Sequence, residues 1–506
     1  MVVYRFLRAA AVVMTCLGMM ACSSSSLNLA PASPTSPYLG LPGARAINTG
    51  SANYAVASDR TMPIVIAAPK LDASHTYSLP ELINIAQLSS PATRSAWERA
   101  REAAAAAGIA EAAYLPVLSA DVLAGVAVTS DTAPGLRTDI INIPNGTITT
   151  SGAQAVPSVA IQWLLFDFGA RDAALSSAQQ LSFAANVGFN GTHQKLIFDV
   201  ANAYYQNAAG RAQTRLNREA LDNARLVQTA AEARRKQGIA TTMEVEQAKQ
   251  QVAQAEFDLS QASSQERSTY AALLGAMGLS PTLKIKVQDI AKKPLPRQVP
   301  GDLDRLIVAS LQRRADVQAS LAQVKASEQG IFAAEAAFLP KVALSATGNA
   351  LLGTYSVRDS RFGETGHLNV HQPNAALLLG ITVPVFDGGL RENQLDSARA
   401  NAAASAYDFA RLQTTAAQEI VTAYDVLRTS LSGYVAATSL VTSARTNYEA
   451  ALEYYRTGLG TLSDVSVAQT GLLKAGYAQA QARSNAFSAA ATLAFATGTL
   501  TSTHGL

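Results

Sequence analysis

Apolar and small or polar residues alternate strictly before two similar corners in the chain. Val159, Ile161, Trp163 and Leu165 share one face, opposite Ser158, Ala160, Gln162 and Leu164. Leu377, Leu379, Ile381, Val383 and Val385 do the same, opposite Ala376, Gly380 and Thr382. A period of two predicts strands, here over 157–166 and 375–386. Each run ends in a Phe-Asp-x-Gly corner, Phe166–Gly169 and Phe386–Gly389. Beyond the corners the period becomes helical, and no proline occurs from Ser158 to Ser280 or from Val385 to Leu506. Helices are predicted over 170–237 and 390–457, each roughly 100 Å if continuous. Second helices follow over 241–275 and 461–497. Val245, Ala248, Val252, Ala255, Leu259 and Ala262 form a heptad seam along the first of these, and Val465, Ala468, Leu472, Ala475 and Ala482 repeat it with Gln479 interrupting. Small seam residues demand close approach, as in an antiparallel coiled coil.

The corners lie 220 positions apart (386 minus 166), and the match extends both ways: Ala203-Tyr204 pairs with Ala423-Tyr424, Gly238 with Gly458, and Val245 with Val465. A unit of about 200 residues used twice makes one doubled architecture. The first copy runs over 77–280 and the second over 301–498, joined by a proline-rich connector, 281–300, and followed by a tail, 499–506. Each opens with a helix (Leu79-Leu82-Ile83, Leu303-Leu306-Ile307) running to an aromatic-Leu-Pro stop at Pro116 or Pro340. Outgoing strands follow over 117–129 and 341–352, with Asp121 as an acidic candidate for their interior face. The Gly/Ser/Thr/Asn-rich stretches Ser130–Pro157 and Gly353–Pro373 read as surface loops.

Composition sharpens this picture. The chain is 48% hydrophobic but only 6% aromatic, which suits long helices packed through alanine and not a thick core. Residues 1–21 read as an export signal ending in Met20-Ala21-Cys22, with Cys22 as the acylated first residue of a bacterial lipoprotein; the plainer alternative is an ordinary secretory signal. Residues 22–76 form an extended arm. Removing Arg5 and Arg8 from the net charge of +3 leaves +1 (3 minus 2), with no basic block for nucleic acid. No phosphate loop or nucleophile elbow supports an enzyme. His367 and His371 have an i, i+4 spacing that suits a metal only on a helix, and they fall in a predicted loop.

Four strand segments of about ten residues can each cross a bilayer when tilted, yet two hairpins cannot close a barrel, and lipid forbids an open edge. Identical partners are required. With both corners, both aromatic-Leu-Pro stops and Tyr455-Arg456-Thr457-Gly458-Leu459 in order, residues 77–498 resemble the TolC-like outer-membrane efflux channel family, lipoprotein branch. The resemblance implies a mainly α fold with a transmembrane β part: a duplicated strand hairpin and long coiled-coil helical hairpin, forming a homotrimer whose 12-stranded β-barrel joins a periplasmic α-helical barrel. It implies a lipid-anchored outer-membrane location, no cofactor beyond the lipid on Cys22, a periplasmic adaptor, and an inner-membrane pump of the RND type. Family position assigns adaptor contact to Gln237, Gly238, Ile239, Thr457, Gly458 and Leu459. It assigns the periplasmic gate to Glu244, Tyr455, Arg456 and Asp464, with Arg456 standing in because the family's arginine position is Gly460; a second pore carboxylate is Val467 here. Helix capping is the competing role for Glu244 and Asp464. The rival functions are a protein-export channel of type I secretion and a periplasmic coiled-coil adaptor or scaffold.

Overall fold

Each strand run is longer than its apolar alternation. In the computed structural model, β1 is Thr76–Tyr77, β2 Val117–Ala133, β3 Leu136–Arg137, β4 Asn142–Ile143, β5 Gly146–Phe166, β6 Lys286–Val287, β7 Lys341–Asp359 and β8 Gly363–Thr382. The helices are α1 Leu79–Ser89, α2 Pro91–Ala112, α3 Ala170–Lys236, α4 Thr242–Ala276, α5 Leu303–Arg313, α6 Ala315–Ala336, α7 Leu390–Thr457 and α8 Leu462–Ala496. The structure describes residues 54, 61–64, 69, 71–137, 139–291, 293–296 and 301–500. The leader, Cys22 and most of the arm lie outside them. Ala67–Leu506 forms one unit.

Most of the two stretches read as loops is therefore strand. Thr129 pairs with Thr150 and Thr132 with Thr147; Gly353 pairs with Val370 and Tyr355 with Leu368. Apolar alternation stops there while backbone pairing continues, since β-branched threonines suit a strand without a buried face. At the other end β8 stops at Thr382 and not at 386. Its partner β7 begins at Lys341, opposite Thr382, and Pro384 has no N–H to donate. His367 and His371 accordingly sit on a strand, where four residues span about 13 Å, too far for one metal.

The main sheet is antiparallel in the order β2-β5-β7-β8. Its register gives each face a distinct chemistry. Leu118, Ile161, Ala346 and Leu377 form one cross-strand row, and Trp163, Leu344 and Leu379 the adjacent one, all on a single face. The opposite face carries Asp121, Ser158, Asn349 and Asn374 in one row. No layer covers the apolar face: Val126 is 78% exposed and Leu377 71%.

Helices run away from the sheet. The α3–α4 and α7–α8 pairs are antiparallel hairpins, with α2 lying along α3, and α6 along α3 and α7. α3 and α7 have 67 and 68 residues, about 100 Å each. Partway along, large side chains gather into a core that the alanine-rich composition did not suggest. Leu82 and Ile83 of α1, Tyr205 of α3, Leu273 and Leu274 of α4, and Phe487 of α8 are buried together. The connector seals this core, its β6 pairing in parallel with β1. Capping fixes α1 there: Ser78 N–H donates to Glu81 Oε2 at 2.7 Å, and these bonds pull the Glu81 carboxyl down to about 2. The second-copy equivalents of Leu82 and Ile83, Leu306 and Ile307, are only half-buried, against α7 and α8.

Candidate functional site

Two places hold buried or half-buried charge beside special backbone: the corners between sheet and helices, and the far tips of the helices. The first corner turns from strand to helix within three residues, 167–169, and the second within seven, 383–389. Gly169 and Gly389 take φ of 91° and 85°, and the preceding residues, Phe168 and Gly388, are also left-handed at 54° and 69°. Two consecutive positive φ values free several strand-end carbonyls, and one arginine per copy collects them. Arg171 pairs with Asp167 at 3.1 Å and donates to the carbonyls of Leu164 and Leu165. Its guanidinium lies over the Tyr114 ring at 4.7 Å. Arg391 repeats the arrangement with Asp387 at 2.5 Å, the Pro384 carbonyl, and the Phe338 ring at 5.3 Å. Both arginines were open to a sequence reading, since they too stand 220 positions apart (391 minus 171), but the motif ended at the glycine.

At the tips the hairpins end in Gly238 and Gly458, with φ of 75° and 84°. Gln237, Gly238, Ile239, Thr457, Gly458 and Leu459 are all exposed. Ile239 is 59% and Leu459 81% accessible, a large apolar exposure for two chain reversals. Just above them the hairpins meet through an apolar cluster of Val227, Ala231, Val245, Tyr448, Tyr455 and Val465. The seam residues Val245, Ala248, Val465 and Ala468 are fully buried in it.

Tyr455 is the centre of this contact. It is 1% exposed, and Arg234 of the other hairpin stacks on its ring at 4.7 Å while donating to the Tyr455 carbonyl. Among the described residues nothing bonds the Tyr455 hydroxyl, which is buried. Burial raises its pKa, Arg234 opposing and the nearby Glu244 carboxylate adding to the rise. The link thus runs through ring face and carbonyl, not through a hydroxyl–carboxylate bond. Arg456 lies outside this contact within the protomer: it is exposed, with Glu453 at 3.9 Å. Gly460 could not carry the arginine without a shift, because a Cβ there would lie 3.1 Å from Tyr454 Cβ and 3.2 Å from the Tyr455 nitrogen.

The two acids head the returning helices. Glu244 is half-buried, and its N–H donates to Thr241 Oγ1 at 3.2 Å. Asp464 is exposed and closes a capping box: its Oδ2 accepts from Thr461 N at 3.0 Å and Thr461 Oγ1 at 2.7 Å. Those bonds, the hydroxyl's first, hold its carboxyl below the usual aspartate range. Arg234 escaped the sequence reading. Its signal was the pair Arg234-Arg235, which stands 220 positions before Tyr454-Tyr455.

Among the described residues, no helix is long and apolar enough to cross a membrane, and no group of three or more His, Cys, Asp or Glu could hold a metal ion. The profile of the family described as outer membrane efflux protein matches residues 82–279 and 306–499. Protein CyaE of Bordetella pertussis is 28% identical over 416 residues, 80% of this chain and 81% of that protein. The pyoverdine export outer membrane protein OpmQ of Pseudomonas putida is 28% identical over 373 residues, 71% of each. The outer membrane protein VceC from Vibrio cholerae shares the fold, with a TM-score of 0.65 at 24% identity, covering 83% of this chain and 96% of that one.

Proposed function

The chain belongs to the outer membrane efflux protein family, and from that premise we propose that it is the outer-membrane channel of a tripartite efflux system. The observation that carries this reading is the sheet, which has one continuous apolar face, an opposite face of mixed polar, small and apolar residues, and two edges, β2 and β8, unpaired among the described residues. A bare apolar face is unstable in water, and an open strand edge is unstable in lipid. Three copies joined β8 to β2 make a closed ring of twelve strands that buries every edge and turns the apolar face to lipid. The same closure brings six helical hairpins into a tunnel about 100 Å long. Members of the family are channels, and the chain is no enzyme.

At the tips, the exposed Ile239 and Leu459 suit docking of a periplasmic adaptor, which would link the channel to an inner-membrane pump of the RND type. The Arg234–Tyr455 stack holds the two hairpins of one protomer together in the closed entrance. Asp464, solvated at the head of α8, adds a carboxylate per protomer there. Cys22 carries the lipid that tethers the arm to the outer membrane. A relative named for pyoverdine export supports a small-molecule cargo over a secreted protein.

Fractionation of membranes and electrophoresis without heating test the whole reading. The expected product is an outer-membrane species of trimer mass that collapses to 52.9 kDa or slightly less on boiling. A soluble periplasmic monomer would refute it and favour an adaptor or scaffold. Cys22→Ser is expected to abolish labelling by a palmitate analogue while leaving trimers intact.

A further inference from the structure

We infer that Asp121 sets the ionic preference of the barrel lumen, independently of the carboxylates at the helical tips. The inference rests on the channel reading above, and on three features of the sheet.

First, the register decides which way Asp121 points. Its neighbours Ala120 and Val122 belong to the face of Leu118, Ile161 and Leu377, whereas Asp121 stands in the row with Ser158, Asn349 and Asn374. A carboxylate turned to hydrocarbon is destabilising and the opposite face carries the continuous apolar rows, so the Asp121 face is the one in contact with water. Second, the row is complete. Every strand contributes a hydrophilic side chain at this height, and Asn374 Nδ2 donates to Asn349 Oδ1 at 3.3 Å across the last strand pair. Closing three copies repeats the row as a belt of three Asp, three Ser and six Asn. Third, the charge is uncompensated. On this face, from the row of Val117 and Gln162 up to that of Asp131 and Ile148, the strands carry no lysine or arginine. Asp359 is neutralised by Arg361 at 2.7 Å, and Asp131 lies ten residues above Asp121, near the outer ends of the strands. Lys341, at the base of β7, lies eight residues below the belt.

Geometry gives the charge its reach. An eight-stranded barrel is filled by side chains and a sixteen-stranded one leaves a wide aqueous pore, so twelve strands give an intermediate lumen. At 0.1 M salt the Debye length is about 10 Å, and at 1 M about 3 Å. Three carboxylates around such a lumen act on a passing ion at low salt and are screened at high salt.

Reversal potentials of the full-length channel in planar bilayers, under a potassium chloride gradient, test this. Asp121→Asn is expected to lower the cation-over-anion permeability ratio about two- to fivefold near 0.1 M salt, with little change at 1 M. Asp464→Asn, at the opposite end, is the comparison and leaves the Asp121 contribution in place. An unchanged ratio at low salt in Asp121→Asn channels overturns the proposal. Asp121→Cys separates the proposal from the reading beneath it. In reconstituted channels a water-soluble anionic thiosulfonate is expected to react with that thiol and restore cation preference, and a cationic one to reverse it. A thiol that stays unreactive means that position 121 does not face water, and the barrel assignment itself falls. A thiol that reacts without altering the ratio overturns the selectivity role alone.

Discussion

Arg234→Ala removes the one cation that bridges the two helical hairpins through Tyr455, and its cost can be worked from the contacts. Two interactions go together. The guanidinium over the Tyr455 ring at 4.7 Å is worth about 0.5–2 kcal/mol, toward the upper end because the ring is fully buried. Its charged hydrogen bond to the Tyr455 carbonyl would add about 1.5–3 kcal/mol in isolation. That carbonyl is not orphaned by the change, since Gly458 N–H also reaches it, at 3.2 Å. Arg234 is itself only half-buried, so part of its charge is already solvated. A net loss of about 1–3 kcal/mol follows, and at 1.4 kcal/mol per tenfold the balance between joined and parted tips shifts roughly 5- to 150-fold toward parted. Single-channel recording measures this directly: Arg234→Ala should raise the conductance or open occupancy of the resting channel, and exposed Arg235→Ala should not. Tyr455→Phe separates ring from hydroxyl. Because the hydroxyl is buried without a partner, its removal should leave the closed state intact or tighten it. Wild-type resting conductance in Arg234→Ala, or an opening in Tyr455→Phe as large as in Arg234→Ala, would refute the stacking account.

Three further outcomes follow from other contacts. Thr461 holds the Asp464 pKa below its ordinary value, so the cap contributes fully above the unfolded value near 4 and fails as pH falls through the lower folded one; the protection of amides 461–465 against exchange, relative to their intrinsic rates, should drop only below about pH 4, and Asp464→Ala should remove that pH dependence. Tyr355 lies flat on the polar face over Gly353, its hydroxyl 2.6 Å from Gln154 Oε1, and a Cβ at 353 would meet the ring at 2.6 Å. Gly353→Ala should therefore swing the ring into the lumen and lower conductance, with Tyr355→Ala restoring it; equal conductance in Gly353→Ala and wild type would sink this view. Arg171→Met leaves Asp167 buried without its partner, for which about 3–5 kcal/mol is typical, and should lower the temperature at which unheated trimers dissociate on gels by several degrees. An unaltered dissociation temperature would mean the corner is not held by that pair.

The repeated plan of strand hairpin and long helical hairpin could be read from the chain because each period is long and uninterrupted. Val159, Ile161, Trp163 and Leu165 alternate on one apolar face, and α3 and α7 contain no proline across their 67 and 68 residues. The strands' outer ends were hidden for the converse reason. Thr147 through Thr150 pair residue for residue with Thr129 through Thr132, yet outside the apolar band nothing demands alternation. Arg171 and Arg391 act through backbone carbonyls, which leave no trace in composition. The tip cluster was half legible: Tyr455 and the seam valines announced a contact, but its cation comes from another helix, and sequence spacing carries no information about which tips touch.

That missing partner becomes intelligible from the duplication. Positions 234 and 235 of the first copy correspond, 220 residues on, to 454 and 455 of the second: Arg-Arg answers Tyr-Tyr. Had both copies kept arginines, like charges would face each other within the buried cluster. Had both kept tyrosines, the tips would pack with aromatic contact alone and leave a second set of hydroxyls to bury. Divergence at this one level converts two equivalent hairpin ends into a cation and a ring that fit each other within one protomer. The contact at the tip is therefore heterologous even though the architecture is repeated, and Arg234→Tyr, which makes the two ends more alike, should weaken the closed tip as Arg234→Ala does. Exchanging the partners, with tyrosine at 234 and arginine at 455, should fail to restore it, because the carbonyl that Arg234 reaches belongs to the backbone of 455 and an arginine there would replace a side chain buried to 1% exposure. The tip contact thus has one hairpin as donor and the other as acceptor.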